Sequence, residues 1–382
     1  MNKFKKIFLV FILFAALLNF SVIFSGALDI SAQSGILICA DSGSVIWSKN
    51  ETEPLPMAST TKIMTSLLAL EHMEACGNKE IEITEEMVRV EGTSMGLRAG
   101  NIVNLEALVQ GMLLCSGNDA ANAAAIAVGG DVNNFIDLMN EKAKMIGMEN
   151  TKFSTPSGLD KDNHHSTAKD MAILGAYAME NENFLKITSQ KSMPVKFLSP
   201  NKTVRLKNHN KLLRLYDGCI GVKTGFTKLA GRCLVSCAEK NGVRLICVTL
   251  NAPNDWDDHM SLYNFGFENT VLKKFCDVGF KISVPLKNSS EGNLECECNS
   301  EFSAVFKKGD ELKITRQVEI PDVLELPIER GQILGKVVYY LDGKIVGKND
   351  ILSSREVKKI KVKKYGFFYG IADFFRKLLG GK

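Results

Sequence analysis

The feature that most constrains this chain's fold is a change of hydrophobic period near Val222. Before it, apolar residues recur at helical steps, at positions 63, 64, 67, 68 and 70 in one stretch and at Phe135, Leu138, Met139 and Ala143 in another. After it, GRCLVSCAEKNGVRLICVTLN is two apolar runs joined by Lys240-Asn241-Gly242, the chemistry of a tight hairpin. A second hairpin is expected near the front, where two apolar runs flank Asp41-Ser42-Gly43. Helices in the middle of the chain and sheet hairpins around them predict an α+β layering over residues 28–272, closed by a helix in WDDHMSLYNFGFEN. Residues 280–357 lack helical period and read as short strands, with Asp342-Gly343 at a turn, so a small all-β domain is expected there.

The two ends differ from this body. The chain's formal charge is +4, of which residues 1–28 carry +3 and residues 355–382 carry +7, leaving −6 for the middle. An acidic middle argues against nucleic acid as a partner. Residues 1–27 hold Lys3, Lys5 and Lys6, then a long apolar run, then the small residues Ser25-Gly26-Ala27. This is the pattern of a cleaved secretory signal, and an uncleaved anchor is the alternative. In residues 362–382, Phe367, Phe368, Ile371, Phe374, Phe375, Leu378 and Leu379 recur at helical steps among Lys363, Lys364, Arg376 and Lys377. That is an amphipathic helix suited to a membrane surface, or one docked on its own protein. The ten cysteines are scattered along a chain too large to need staples. Cys233 and Cys237 read as small core residues, Cys296-Glu297-Cys298 is too tight for an ordinary zinc knuckle, and His164-His165 has no metal-motif context, so no metal or other cofactor is expected.

Ser59 and Lys62 lie three residues apart at the start of a helical stretch, which puts both on one face about a turn apart. A serine hydroxyl becomes a nucleophile only when a base takes its proton, and a lysine is that base only when burial or nearby positive charge lowers its pKa. Alone, the pair is nearly uninformative, and Ser59 reads as a helix cap. Two further motifs follow in order. Ser116-Gly117-Asn118 stands between two helical stretches, and Lys223-Thr224-Gly225 opens the strand region, with Gly225 permitting close backbone approach by a substrate.

Ser-x-x-Lys, Ser-x-Asn and Lys-Thr-Gly in this order form the set of the penicillin-recognising serine enzymes. Together with ASTTKIMT, GTSMGLRAGNIVNLEALVQGMLLCSGNDAANAAA, FSTPSGLD, HSTAKDMA and GVKTGFTKLAGRCLVSCA, they resemble the serine-type D-alanyl-D-alanine carboxypeptidases, the low-molecular-mass penicillin-binding proteins. The resemblance covers roughly residues 35–270. The β domain, with ELPIERGQILGK, and the terminal amphipathic helix resemble that family's C-terminal domain and membrane anchor. It implies a β-lactamase/transpeptidase-like catalytic domain exported to the outer face of the cytoplasmic membrane. Its partners would be peptidoglycan stem peptides ending in D-Ala-D-Ala, β-lactam antibiotics as inhibitors, and the membrane surface. It also implies roles. Ser59 attacks the D-Ala–D-Ala bond and carries the acyl-ester, Lys62 accepts its proton, and Ser116 passes a proton to the departing D-alanine. Asn118 holds the substrate amide and Lys62, Lys223 and Thr224 meet the terminal carboxylate, and the N–H groups of Ser59 and Phe226 form the oxyanion hole. The two lysines are expected to lower each other's pKa.

Some positions depart from the family pattern. His209 stands where an arginine is frequent and reads as a surface residue, Asn101 stands where an aspartate is common, and Cys115 reads as packing. Asp119 and His165 are candidates for a supporting shell. A β-lactamase would need a deacylating glutamate in a Glu-x-x-Leu-Asn segment, which is absent from the sequence. A transpeptidase would share the acyl-enzyme, and a purely wall-binding module would have no need of the Ser59–Lys62 pair.

Overall fold

A computed structural model describes residues 28–161 and 163–359. The expected secretory signal (1–27) and terminal amphipathic helix (362–382) lie outside the described residues. In chain order, β1 (Ser34–Cys39) and β2 (Val45–Lys49) precede helix α1 (Lys62–Cys76). A short ladder of β3 (Glu80–Glu82) and β4 (Ile102–Asn104) brackets the one-turn α2 (Glu85–Val88). Helices α3 (Leu105–Cys115), α4 (Asn118–Gly129), α5 (Val132–Met145), α6 (Ala168–Glu180) and α7 (Glu182–Thr188) follow. Then come the hairpin of β5 (Ser192–Phe197) and β6 (Lys202–Lys207), the one-turn α8 (Leu212–Leu215), strands β7 (Cys219–Thr227), β8 (Gly231–Lys240) and β9 (Val243–Leu250), and α9 (Asp255–Glu268). Side-chain caps start several helices: Asn104 accepts from the Ala107 N–H and Thr167 from the Asp170 N–H.

Five strands form one antiparallel sheet in the order β2-β1-β9-β8-β7, so β7 is an edge. The β8–β9 turn has positive φ at both Asn241 and Gly242, the two left-handed positions that let a two-residue loop match the strands' twist. Alternation along the strands splits the core in two. Ile36, Ile38, Val235, Cys237, Ile246 and Val248 face the helical layer, against residues such as Met64, Leu67, Leu108 and Met171. Leu37, Cys39, Leu234, Leu245 and Cys247 face the other way, against Leu262 and Tyr263 of α9. The same side buries a polar knot in which the His259 ring sits between Ser236 Oγ (2.6 Å) and Thr249 Oγ1 (2.9 Å). Burial lowers that histidine's pKa to about 3, so it is a neutral structural element.

The β half continues with β10 (Thr270–Cys276), β11 (Phe280–Pro285), β12 (Asn293–Cys298), β13 (Glu301–Lys307), β14 (Thr315–Glu319), β15 (Ile333–Leu341) and β16 (Lys344–Ser353). Its sheet runs β11-β12-β16-β15-β14, with β10 and β13 paired beside it. Leu294, Cys296 and Cys298 of β12 all point into its core, which is why Cys-Glu-Cys sits there. All ten cysteines are free thiols. No helix among the described residues is long and apolar enough to cross a membrane.

Candidate active site

Ser59 lies in a 3-10 turn, Ala58–Thr61, that runs directly into α1, so Ser59 and Lys62 occupy consecutive helical turns. Two glycines make room for this turn. Gly158 has φ +82°, and a Cβ there would fall 1.9 Å from the Ala58 carbonyl oxygen and 2.8 Å from Thr61 Oγ1. A Cβ on Gly225 would meet the Met57 carbonyl oxygen at 2.9 Å and the Ser59 nitrogen at 3.0 Å. Gly225 thus admits the backbone that carries Ser59, pressed against the edge strand β7.

Lys62 is fully buried. Its Nζ lies 2.9 Å from Ser59 Oγ, 2.6 Å from Asn118 Oδ1 and 2.6 Å from the Ser157 carbonyl oxygen. Burial first, and the Lys223 charge second, hold its pKa well below the usual lysine value. The amine is thus held between the Asn118 amide oxygen, the Ser157 carbonyl and the Ser59 hydroxyl. Lys223, central in β7, is buried too, and its Nζ donates to the Thr224 carbonyl at 2.7 Å. Burial lowers its pKa to about 7. The expectation of mutual lowering is corrected here: desolvation is the leading cause for both lysines, the Lys223 charge lowers Lys62 in second place, and the second influence on Lys223 is Cys115, which raises it.

Asn118 begins α4, and Ser116, in the left-handed region at φ +62°, ends α3. Asn118 Nδ2 donates to the Glu91 carbonyl at 2.7 Å and its backbone N–H to the Thr93 carbonyl at 2.7 Å. Buried Asp119 accepts from Ser94 Oγ (2.6 Å) and from the backbone N–H groups of Met95, Gly96 and Leu97 (2.9, 3.1 and 3.0 Å). It thereby fastens the loop that brings Thr93 to the site. Of the two adjacent histidines, His164 does the supporting, in place of the expected His165. The Ser154 N–H donates to His164 Nδ1 (3.0 Å), which leaves the ring hydrogen on Nε2, 2.9 Å from Thr61 Oγ1. Thr61 in turn donates to the Ala58 carbonyl at 2.8 Å. Burial, then His165, then Lys62, lower the His164 pKa to about 4, so it holds the Ser59 turn as a neutral ring. His165 is half-buried and its Nδ1 lies 3.1 Å from the Asn163 carbonyl.

Ser59, Ser116, Thr224, Gly225 and Phe226 line one cavity of about 310 Å3, with Lys62, Asn118 and Lys223 buried around it. Thr93, His209, Lys211, Arg232, Asp255 and Trp256 complete the wall. His209 is thus exposed into the cavity and is more than the plain surface residue its position suggested. Arg232 is the residue that reading the chain missed. On β8 it pairs with Phe226 of β7, so the hairpin register carries it to the cavity. Buried Asp255 engages its Nε (3.0 Å) and Nη2 (2.7 and 3.0 Å), and the Trp256 ring lies 5.3 Å from the guanidinium carbon. Nη1 stays outside that ion pair, and a guanidinium held side-on keeps its end-on donors for a second carboxylate. Cys115 is partly buried, with its thiol 3.2 Å from the Gly111 carbonyl, and burial raises its pKa to about 11. It packs and does not react. Among the described residues, no cluster of three or more histidine, cysteine, aspartate or glutamate side chains is disposed to hold a metal ion.

A serine hydroxyl 2.9 Å from a buried lysine amine, beside a sheet edge that presents Lys-Thr-Gly, is the arrangement of the penicillin-recognising class of serine enzymes. Residues 22–254 match the family described as D-alanyl-D-alanine carboxypeptidase, and residues 272–359 match the C-terminal domain of penicillin-binding protein 5. The chain belongs to the D-alanyl-D-alanine carboxypeptidase family. It is 32% identical to the D-alanyl-D-alanine carboxypeptidase DacF of Bacillus subtilis, over 91% of this chain and 89% of that one. It is 33% identical to DacC of Escherichia coli, over 91% and 88%. The crystal structure of penicillin-binding protein 5 from Haemophilus influenzae superposes with a TM-score of 0.69 at 29% identity, over 87% of this chain and 98% of that one.

Proposed function

We infer that the protein is a serine-type D-alanyl-D-alanine carboxypeptidase that shortens peptidoglycan stem peptides by one residue through an acyl-ester on Ser59. The observation that carries this reading is the buried Lys62 amine, its pKa held down chiefly by that burial, 2.9 Å from the Ser59 hydroxyl. Neutral Lys62 takes the Ser59 proton as Oγ attacks the penultimate carbonyl carbon. The Ser59 and Phe226 N–H groups stabilise the developing oxyanion. The C–N bond breaks, the departing D-alanine amine takes the proton by way of Ser116, and water then hydrolyses the ester. Thr224, Lys223 and the outer edge of Arg232 receive the terminal carboxylate. Penicillin, a carboxylated acyl donor, follows the first half of the same course.

We assign residues 1–27 to export and residues 362–382 to peripheral anchoring, which sets the enzyme at the outer face of the cytoplasmic membrane. The cationic, Phe-rich pattern of the terminal segment supports this. Labelling cell fractions with fluorescent penicillin tests both assignments. The full chain should label in the membrane fraction, a chain ending at residue 361 should label in the soluble fraction, and Ser59→Ala should not label at all. A labelled Ser59→Ala protein would overturn the nucleophile, and a truncated chain still in the membrane would overturn the anchor.

The lysine environments set a pH dependence. Lys223, lowered to about 7, is charged below that pH and loses its charge above it. The KM for a carboxylate-ended peptide should therefore rise about tenfold between pH 6 and 9, whereas the KM of the same peptide ending in a carboxamide stays flat. Equal KM profiles for the two peptides would remove Lys223 from carboxylate binding.

A further inference from the structure

Strand β7 gives the catalytic cavity a direction. In the reading above, on which this inference rests, the terminal carboxylate of the substrate meets Thr224 and the penultimate carbonyl meets the Phe226 N–H. The peptide therefore runs antiparallel to this edge strand, and whatever precedes the two D-alanines lies beside Thr227 and beyond. An extended chain advances about 3.4 Å per residue, so the residue before them sits one step past Phe226.

A second groove, of about 550 Å3, lies in that direction. Pro54, Asp160, Lys161, His165 and Leu229 are in its wall. Thr227 is the seam between the two spaces, because its neighbour Phe226 lines the catalytic cavity and Leu229 lines the groove. Thr227 Oγ1 donates to Asp160 Oδ1 at 2.9 Å and accepts the Ala230 N–H at 3.0 Å, which ties Asp160 to the end of β7. The segment that carries Asp160 is also fixed to the nucleophile. The Ser157 carbonyl lies 2.6 Å from Lys62 Nζ, and Gly158 packs on the Ala58 carbonyl.

The groove carries one charge of each sign. Asp160 and Lys161 are both exposed, and among the described residues neither forms an ion pair. Thr227 occupies one Asp160 oxygen and leaves the other open to a second donor. Leu229 is 68% exposed and supplies an apolar wall beside these charges. Such a wall suits a methylene stem, an open carboxylate suits an ammonium, and a free lysine suits a carboxylate.

We propose that this groove is an acyl-side subsite for the side chain of the residue preceding the two D-alanines, and that it selects a side chain ending in both an ammonium and a carboxylate. Asp160 takes the ammonium, Lys161 the carboxylate, and Leu229 covers the stem.

Three peptides test this, identical except at the residue before D-Ala-D-Ala, which is Nε-acetyl-lysine, lysine or meso-diaminopimelate. D-alanine release by the full-length enzyme is followed at low salt. The kcat/KM should rise about fivefold from acetyl-lysine to lysine and about fivefold again to diaminopimelate, and both steps should shrink in 0.5 M salt. Asp160→Asn, which keeps an oxygen for Thr227, should bring the lysine to acetyl-lysine ratio to about one. Lys161→Gln should do the same for the ratio of diaminopimelate to lysine. A substitution that only disturbed the loop would slow all three peptides and leave their ratios as they were, which would count against the subsite. Should Asp160→Asn fold poorly, the Lys161→Gln ratio decides alone. Equal rates on the three peptides in the wild type, or ratios that survive the substitutions, would overturn the proposal. Absence of D-alanine release from every peptide together with absence of penicillin labelling would instead strike the underlying reading of the site.

Discussion

Replacing Lys62 by methionine is expected to slow acylation of Ser59 by penicillin about 10⁴-fold, because the side chain that fills the space then has no lone pair able to take the proton. The effect is large because Lys62 Nζ is the titratable group that hydrogen-bonds Ser59 Oγ. Two neighbours of the turn are committed elsewhere: His164 already accepts the Ser154 N–H at Nδ1, and Asp119 is engaged by Ser94 and the 95–97 backbone. Methionine also removes a buried amine whose charged form burial opposes, so folding should survive. The rate of labelling, compared with the wild type at equal folded concentration, checks this. Labelling within tenfold of wild type would show that Lys62 is not the base.

The second large effect is steric. Gly158→Ala is expected to cost at least 10³-fold in acylation and about 3 kcal/mol or more in stability, because the new Cβ would lie 1.9 Å from the Ala58 carbonyl oxygen and must displace the Ser59 turn. The control is Gly279→Ala in the β half. Gly279 also has positive φ (+84°), but nothing lies within 4 Å of its Cβ position. That substitution should cost only the left-handed strain, about 1–2 kcal/mol, and leave acylation unchanged. Chemical denaturation and penicillin labelling of the two variants separate displacement of the nucleophile from simple backbone strain. Equal losses in both would remove the special role of Gly158.

Much of this fold was legible because its signals are local. The β8–β9 hairpin announces itself through Asn241-Gly242, and α1 through the spacing of its apolar residues. The signal in β12 was present too, since Leu294, Cys296 and Cys298 alternate with Glu295 and Glu297, but the two cysteines drew attention to ligation and away from alternation. The hairpin of β5 and β6 carries too little apolar pattern to stand out. Its only buried residues are Val195, Phe197 and Leu206.

At the site, the three motifs named the nucleophile and its neighbours, while the parts that require pairing across the chain stayed hidden. Arg232 reaches the cavity only through the register that sets it opposite Phe226, and it is fixed by Asp255 at the start of α9. The choice between His164 and His165 depends on the bridge that pairs Lys152 with His165 and turns His164 inward. The depression of Lys62 is a matter of burial, which no local pattern of residues encodes.

The most direct test of the central claim is release of free D-alanine from a peptide ending in Lys-D-Ala-D-Ala by the full-length protein, beside its Ser59→Ala variant. The account predicts one D-alanine per peptide shortened by the wild type and none by the variant. A folded wild-type protein that is labelled by penicillin at Ser59 yet releases no D-alanine would contradict it, and would leave an acylating serine with some other acceptor than water.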